Sequence, residues 1–374
     1  MDLSYWEKTT FFNNIDVAII GSGIVGLNAA FTLKKNNPSL KIVVLERGFL
    51  PSGASTKNAG FTCFGSPTEL LDDLKSISEN ELFKLVEKRY LGLQRLRKNL
   101  GDDFIDYHNW GGYELFDDEE VYCECSEKIN YLNKMMAAIT GEKELYIPAD
   151  HLIKEFEFKH IKHLILNKGE GQIDTGKMML RLLNKVQELG VIVLNGINIT
   201  AINDNQIQVD NKWTIFSKKI IVATNGFAKK LLGNDLEVTP ARAQVVITSP
   251  IENLSIKGTF HFEKGYYYFR NIENRILLGG GRNLDFQGET TTEFGLTELI
   301  QNKLEEILSK IILPNKQFTI EHRWSGIMGL GNGKTPIVKK LNPHLYCAVK
   351  MGGMGIAIGS LIGEEVAELV SNDL

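Results

Sequence analysis

Residues 15–26 read Ile15-Asp16-Val17-Ala18-Ile19-Ile20-Gly21-Ser22-Gly23-Ile24-Val25-Gly26, and this stretch decides the fold. Its first six residues are almost all apolar and run into a glycine, the pattern of a strand buried on both faces of a parallel sheet. From residue 24 the apolar positions, Leu27 and Leu33 among them, suit a helix that Asn36, Asn37 and Pro38 end. A second buried strand is predicted at 41–46, reading KIVVLE. Strand, helix and strand in this span form a βαβ unit. The spacing Gly21-x-Gly23-x-x-Gly26 then has a mechanical meaning. Gly21 lets the chain turn sharply out of the strand, Gly23 lets backbone approach a diphosphate, and Gly26 lets helix and strand pack closely. The helix start adds unpaired N–H groups and a partial positive charge for the anion. Glu46, at the end of the second strand, stands where an acid hydrogen-bonds a ribose hydroxyl. The expected ligand is a dinucleotide, which the glycine motif alone leaves open between NAD and FAD.

Working outward, residues 50–66 are rich in Gly, Ser, Thr and Ala and read as a functional loop. Leu82, Val86, Tyr90, Leu93, Leu96 and Leu100 recur at helical spacing, and a further helix is predicted over 126–139. Tyr113–Phe116 reads as a strand. An amphipathic helix is expected at 175–189, with Gly190 placed to end it, followed by strands at 191–194, 197–202, 206–216 and 219–223. Alternation over 240–286 suggests antiparallel strands; a helix follows at 295–311, and a glycine cluster at 352–359 leads into a last helix at 360–370. The βαβ-type segments are therefore split across the chain. Residues 1–69, 168–235 and 319–374 are expected to form one unit around a parallel sheet, and 70–167 with 236–318 an inserted α+β unit with an antiparallel sheet.

Composition fits this. The chain has 374 residues, 43% of them hydrophobic, so a sizeable core can form. The formal charge of −4 is spread without a basic stripe, so nucleic acid is not an expected partner. No apolar run reaches the length of a membrane span, and the start lacks a secretory pattern, so a cytoplasmic location without integral membrane association is expected. Cys63, Cys123, Cys125 and Cys347 read as reduced thiols, with no metal site.

Five patches, 15–65, 169–202, 219–227, 265–282 and 320–370, resemble the D-amino-acid oxidase-like flavoprotein family, which includes glycine oxidase and sarcosine oxidase. The resemblance implies FAD, bound non-covalently, in a Rossmann-like domain carrying an inserted substrate domain. It implies cofactor contacts from Gly21, Ser22, Gly23, Ile24, Val25, Gly26, Glu46 and Arg47. It adds Ser55, Thr56, Asn58, Ala59 and Gly60 of the small-residue loop, the backbone of Ile199, and the strand-end pair Thr224 and Asn225. The pyrimidine edge would meet Gly326 and the turn Gly353-Met354-Gly355-Ile356, where a helix start favours negative charge. A lysine close to flavin N5 aids oxygen reduction in some relatives, and Lys57 is near enough in sequence to be a candidate for that place.

For the substrate, strand alternation over Tyr266-Tyr267-Tyr268-Phe269-Arg270 puts Tyr266, Tyr268 and Arg270 on one face. A tyrosine at the place of Tyr266 contacts the substrate carboxylate in several relatives, and Arg270 is suited to bind a carboxylate bidentately. Met328 occupies the place of the family's arginine clamp, which shifts a clamp to Arg270, Arg242 or Arg323 or points away from a simple amino acid. The seven histidines show no metal or triad spacing, and His261 reads as a packing or surface residue. The expected activity is oxidation of a C–N bond in a small amine or amino acid by hydride transfer to flavin N5, with oxygen or another acceptor completing the cycle. Oxidation of a 2-hydroxy acid or alcohol, modification of a tRNA nucleoside, and a flavin-binding assembly protein are the alternatives. Oligomeric state is not readable.

Overall fold

The computed structural model describes residues 3–234 and 236–374; Met1, Asp2 and Asp235, which the sequence reading assigns to the parallel-sheet unit, lie outside the described residues. The opening stretch folds as read. Ile15–Ile20 is a strand, Ile24–Asn36 a helix and Ile42–Leu45 the next strand, paired parallel to the first with Ile19 opposite Val44. Around this unit a sheet runs in the order Ile337–Lys340, Leu345–Val349, Trp213–Val222, Ile15–Ile20, Ile42–Leu45, Ile192–Leu194. Along this order the pairings are parallel except at the 337–340 edge, and off it Gln206–Val209 pairs antiparallel with both Ile199–Asn203 and Trp213–Val222.

The second sheet is ordered Ile320–Leu330, Thr239–Thr248, Arg275–Gly280, Tyr267–Ile272, Thr259–Phe262, Gly112–Phe116, His163–Asn167, Tyr146–Pro148. All its pairs are antiparallel apart from Gly112–Phe116 with Thr259–Phe262. The chain is thus a mixed α/β protein with one largely parallel and one largely antiparallel sheet. Each sheet has its own apolar core. Val17, Ile19, Ile42, Val44 and Ile221 pack with helices on one face of the first, while Phe260, Phe269, Tyr267, Ile276 and Leu304 centre the second.

Several elements differ from the sequence expectations, each for a physical reason. Residues 319–330, expected with the parallel sheet, instead pair along their length with Thr239–Thr248 in the antiparallel sheet. The strands expected at 206–216 and 219–223 share one ten-residue strand, Trp213–Val222. Its first half closes a hairpin with Gln206–Val209, and its second half lies between Ile15–Ile20 and Leu345–Val349. The middle helix is longer than expected, Glu119–Thr140, because Asp118 caps its first turn through the N–H groups of Glu120 and Val121. The last helix begins at Gly355 rather than 360. Two of its glycines serve packing: a Cβ at Gly359 would lie 2.8 Å from the Ile24 side chain, and one at Gly363 2.7 Å from the Val25 carbonyl oxygen. The last helix can therefore sit directly on the helix that opens at the glycine loop.

Candidate active site

The glycine loop opens onto a cavity of about 750 Å³ lined from both sheets. Gly21 has φ +104°, and a Cβ there would lie 2.9 Å from the Ala223 carbonyl oxygen; at Gly26 it would lie 2.0 Å from the Gly21 carbonyl oxygen. These two glycines permit the turn and the close packing. Gly23 faces the cavity, and Ser55 Oγ accepts the Ile24 N–H at 2.9 Å. Glu46 is buried. Its Oε2 accepts from the backbone N–H and hydroxyl of Ser22, and its Oε1 from the Gly48 N–H. The carboxylate expected on a ribose also ties the second strand to the glycine loop. Beside it Arg47 lies 4.6 Å over the Phe227 ring.

Most of the expected cofactor residues come together here. Gly21, Gly23, Ile24, Val25, Glu46, Arg47, Ser55, Asn58, Ala59, Gly60, Ile199, Thr224, Asn225, Gly326, Gly353, Met354, Gly355 and Ile356 all line the one cavity. Three do not. Ser22 is turned in to Glu46, Gly26 faces the strand, and the Thr56 hydroxyl donates to the Pro51 carbonyl. Asn58 braces the loop, donating to Ala54 and Ser55 carbonyls and accepting the Gly60 N–H. Asn225 Oδ1 accepts the N–H groups of Lys350 and Met351, fixing the chain just before the glycine turn. Around Gly352 and Gly353 nothing lies within 4 Å of an added Cβ, and the helix they introduce has no side-chain cap. Its free N–H groups open into the cavity.

The substrate candidates divide differently. Tyr266 and Tyr268 line the cavity, but Tyr266 is 43% exposed and precedes the strand Tyr267–Ile272, so strand alternation does not place it. Arg270 does not line the cavity. It is buried, and its Nη1 donates to the Gly60 carbonyl at 3.2 Å and the Ile173 carbonyl at 2.7 Å. Burial without a carboxylate partner lowers its pKa to about 10. It braces the small-residue loop and is not a carboxylate clamp. Arg242 forms a fork with the buried Glu289, and Arg323 bonds Gln301 and Glu305, so neither is free. Met328 lines the cavity as an apolar wall.

Two features escaped the sequence reading. Arg282 lines the cavity, half-buried, 4.8 Å over the Phe286 ring. Among the described residues it forms no ion pair, and its Nε has no hydrogen-bond partner. The backbone N–H of Gly281 bonds the Tyr266 carbonyl at 3.0 Å, which sets Arg282 beside that tyrosine. The run Gly279-Gly280-Gly281 before it is the available signal: small residues at a strand end mark a close approach. The second feature is a group of acids, bases and a thiol on the inner wall. Glu69 bridges Arg89 and Lys334 at 3.4 and 2.8 Å, and although burial opposes its charge, those cations hold its pKa at about 2. Near it stand Cys63 and His261, the latter 2.7 Å from Glu170. His261 is therefore a cavity residue and not a packing or surface one. Seven Lys and Arg side chains line the cavity against three carboxylates, in a chain whose formal charge is −4.

Residues 16–369 match the family described as FAD dependent oxidoreductase, and the chain belongs to it. It is similar to the probable oxidoreductase OrdL of Haemophilus influenzae, 21% identical over 97% of this chain and 84% of that protein. It is similar also to the glycine oxidase of Geobacillus kaustophilus, 21% identical over 95% of this chain and 92% of that one. Among solved structures, the L-proline dehydrogenase of P. horikoshii superposes with a TM-score of 0.76 at 20% identity, over 96% of this chain and 94% of that chain. The protein is an FAD-dependent oxidoreductase, and the glycine loop at one end of the cavity with the open faces of Gly352 and Gly353 at the other suit a cofactor lying along it. No helix among the described residues is long and apolar enough to cross a membrane.

Proposed function

We propose that this enzyme oxidises the C–N bond of a small amine that carries a carboxylate, an amino acid or N-substituted amino acid. When bound, FAD supplies the two-electron acceptor, taking a hydride at N5. The loop Gly21–Gly26 would hold the diphosphate without a covalent link, Glu46 and Arg47 the ribose end, and the helix start at Gly353–Ile356 the opposite edge. The observation that carries the substrate class is Arg282. A guanidinium with no carboxylate partner, partly withdrawn from water beside Tyr266, offers charge-assisted hydrogen bonds to an anion. The excess of basic side chains on the cavity wall favours the same sign of ligand. Met328 and Tyr268 would then exclude water around the carbon to be oxidised.

A second reading, oxidation of a 2-hydroxy acid, draws support from His261, because a base near the cavity suits removal of a hydroxyl proton. Anaerobic mixing of the purified flavoprotein with D-amino acids, N-methyl amino acids, polyamines and hydroxy acids separates the two. Bleaching of the flavin by a carboxylate-bearing amine, and not by its decarboxylated analogue, is the expected result. Bleaching by hydroxy acids alone would sink the amine reading.

A further inference from the structure

One cluster on the inner wall has no part in the cofactor contacts described above. Cys63, Glu170 and His261 come from distant parts of the chain, yet a donor atom of each lies within 4.8 Å of the others. His261 Nε2 is 2.7 Å from Glu170 Oε1, and the Thr259 hydroxyl donates to that same oxygen at 2.7 Å. Glu170 is fully buried and Oε2 has no hydrogen-bond partner among the described residues, while the His261 ring and Cys63 reach the cavity. The fold makes room for this carboxylate. At Gly112, in the strand beside Thr259–Phe262, an added Cβ would lie 2.4 Å from Glu170 Oε2.

A cation is one candidate occupant. Ligand nitrogen and oxygen atoms at zinc-bond lengths sit about 3.3 Å apart in a tetrahedral site. The 2.7 Å separation is shorter, and is that of a charge-assisted hydrogen bond. The pair is arranged to hold a proton. With Nε2 engaged by the carboxylate, Nδ1 is the ring nitrogen left to take one, and the Cys63 thiol beside the ring is the group that competes for it.

We propose that His261, oriented by Glu170, accepts the proton from the heteroatom on the carbon to be oxidised, which in the reading above is the ammonium nitrogen. The N–H bond of the ammonium breaks, its electron pair stays on nitrogen as the lone pair of the neutral amine, and the proton bonds to Nδ1. Nothing is oxidised in this step. The Glu170 carboxylate accepts from Nε2–H, holding the ring's orientation and stabilising the imidazolium.

The groups facing the ring single out Glu170 as the one that sets its basicity. The Cys63 thiol is pushed up to about 12 by burial and stays protonated. Tyr268, opposite His261 in the adjacent strand, is pushed to about 12 by burial. Glu114, from the other neighbouring strand, is raised by burial and bonded by Thr68 and Ser66. Glu69 is neutralised by Arg89 and Lys334. Burial opposes charge on His261, but the Glu170 carboxylate beside it raises its pKa well above the ordinary histidine value. A ring of raised basicity is the better matched to an ammonium donor.

The role rests on the amine reading only through the identity of the heteroatom, and the test separates the two. In the holoenzyme, the titration of His261 is followed by NMR of nitrogen-labelled histidine. The pH dependence of anaerobic flavin reduction is measured in wild type, Glu170→Gln and His261→Asn, with flavin content checked in each. The expected result is a high His261 midpoint that matches the acid limb of the reduction rate. Both should move down by about one to three pH units in Glu170→Gln. His261→Asn should lose the limb and reduce about 10²- to 10⁴-fold more slowly. A limb that stays in place in Glu170→Gln overturns the role, as does a stoichiometric metal ion in the purified protein. Reduction by hydroxy acids with the same shift overturns the amine reading and keeps the role; reduction by no small substrate overturns both.

Discussion

Replacing Arg282 with Met removes the charge at the cavity wall while keeping most of the side chain's volume. Among the described residues the guanidinium forms no ion pair, with Glu289 acting on it only at longer range, so the loss chiefly measures its interaction with the ligand. A hydrogen bond to a charged group contributes about 1.5–3 kcal/mol. Arg282 is only half-buried, so two such bonds at partial strength give about 2–4 kcal/mol, or roughly 30- to 900-fold in kcat/KM. A carboxylate away from the reacting carbon is held alike in ground and transition states, so the loss should fall on KM with kcat nearly unchanged. Initial rates would be compared for a reactive amino acid and its decarboxylated amine in wild type, Arg282→Met and Arg282→Lys. The amine should be indifferent to the change, and lysine should restore part of the loss. Equal effects on both substrates, or none on the amino acid, would refute the assignment of Arg282.

Three further outcomes are expected. Gly26→Ala puts a Cβ about where the Gly21 carbonyl oxygen stands, 2.0 Å away, so the helix must move off the strand end; the purified protein should carry less FAD per chain, read from its flavin-to-protein absorbance ratio, and full occupancy would contradict the packing argument. Gly363→Val meets the Val25 carbonyl oxygen at 2.7 Å and should lower the stability measured by urea unfolding by about 1–3 kcal/mol; an unchanged midpoint would mean that the two helices can separate freely. Glu69, held at about 2 in the folded chain against an ordinary 4.5, contributes stability that is complete above the unfolded pKa and lost as pH falls through the window from 4.5 to 2. That increment is at most about 3 kcal/mol, so Glu69→Gln should flatten stability against pH in that window, and an unaltered slope would count against the Arg89–Glu69–Lys334 bridge.

The legible parts of this chain were those whose signal is local. The strand, glycine loop and helix at 15–36 show in sequence because period, turn and cap all lie within one short stretch. Sequence position puts residues 320–330 with the parallel-sheet unit, but which sheet accepts a strand depends on partners such as Thr239–Thr248, and no local pattern names them. Arg270 was misjudged because a sequence gives its charge and not the two carbonyl oxygens that occupy it. The glycine run before Arg282 could have drawn attention to that arginine. Cys63, Glu170 and His261 offered nothing comparable, since His261 and Glu170 lie 91 residues apart and meet only when two strands and a loop converge.

The imbalance of charge along the cavity bears on how quickly ligands arrive. Seven basic side chains line the cavity against three acidic ones, two of the seven held by Glu69, on a molecule whose formal net charge is negative. Low-dielectric walls concentrate the resulting potential, raising the local concentration of anionic ligands, the FAD diphosphate among them. Salt collapses that field within about 8–10 Å. The free energy of the final contacts is much less exposed to salt, because those contacts form inside the cavity. Ionic strength thus becomes a control on rates of loading and turnover at low substrate, acting separately from the tightness of the bound state.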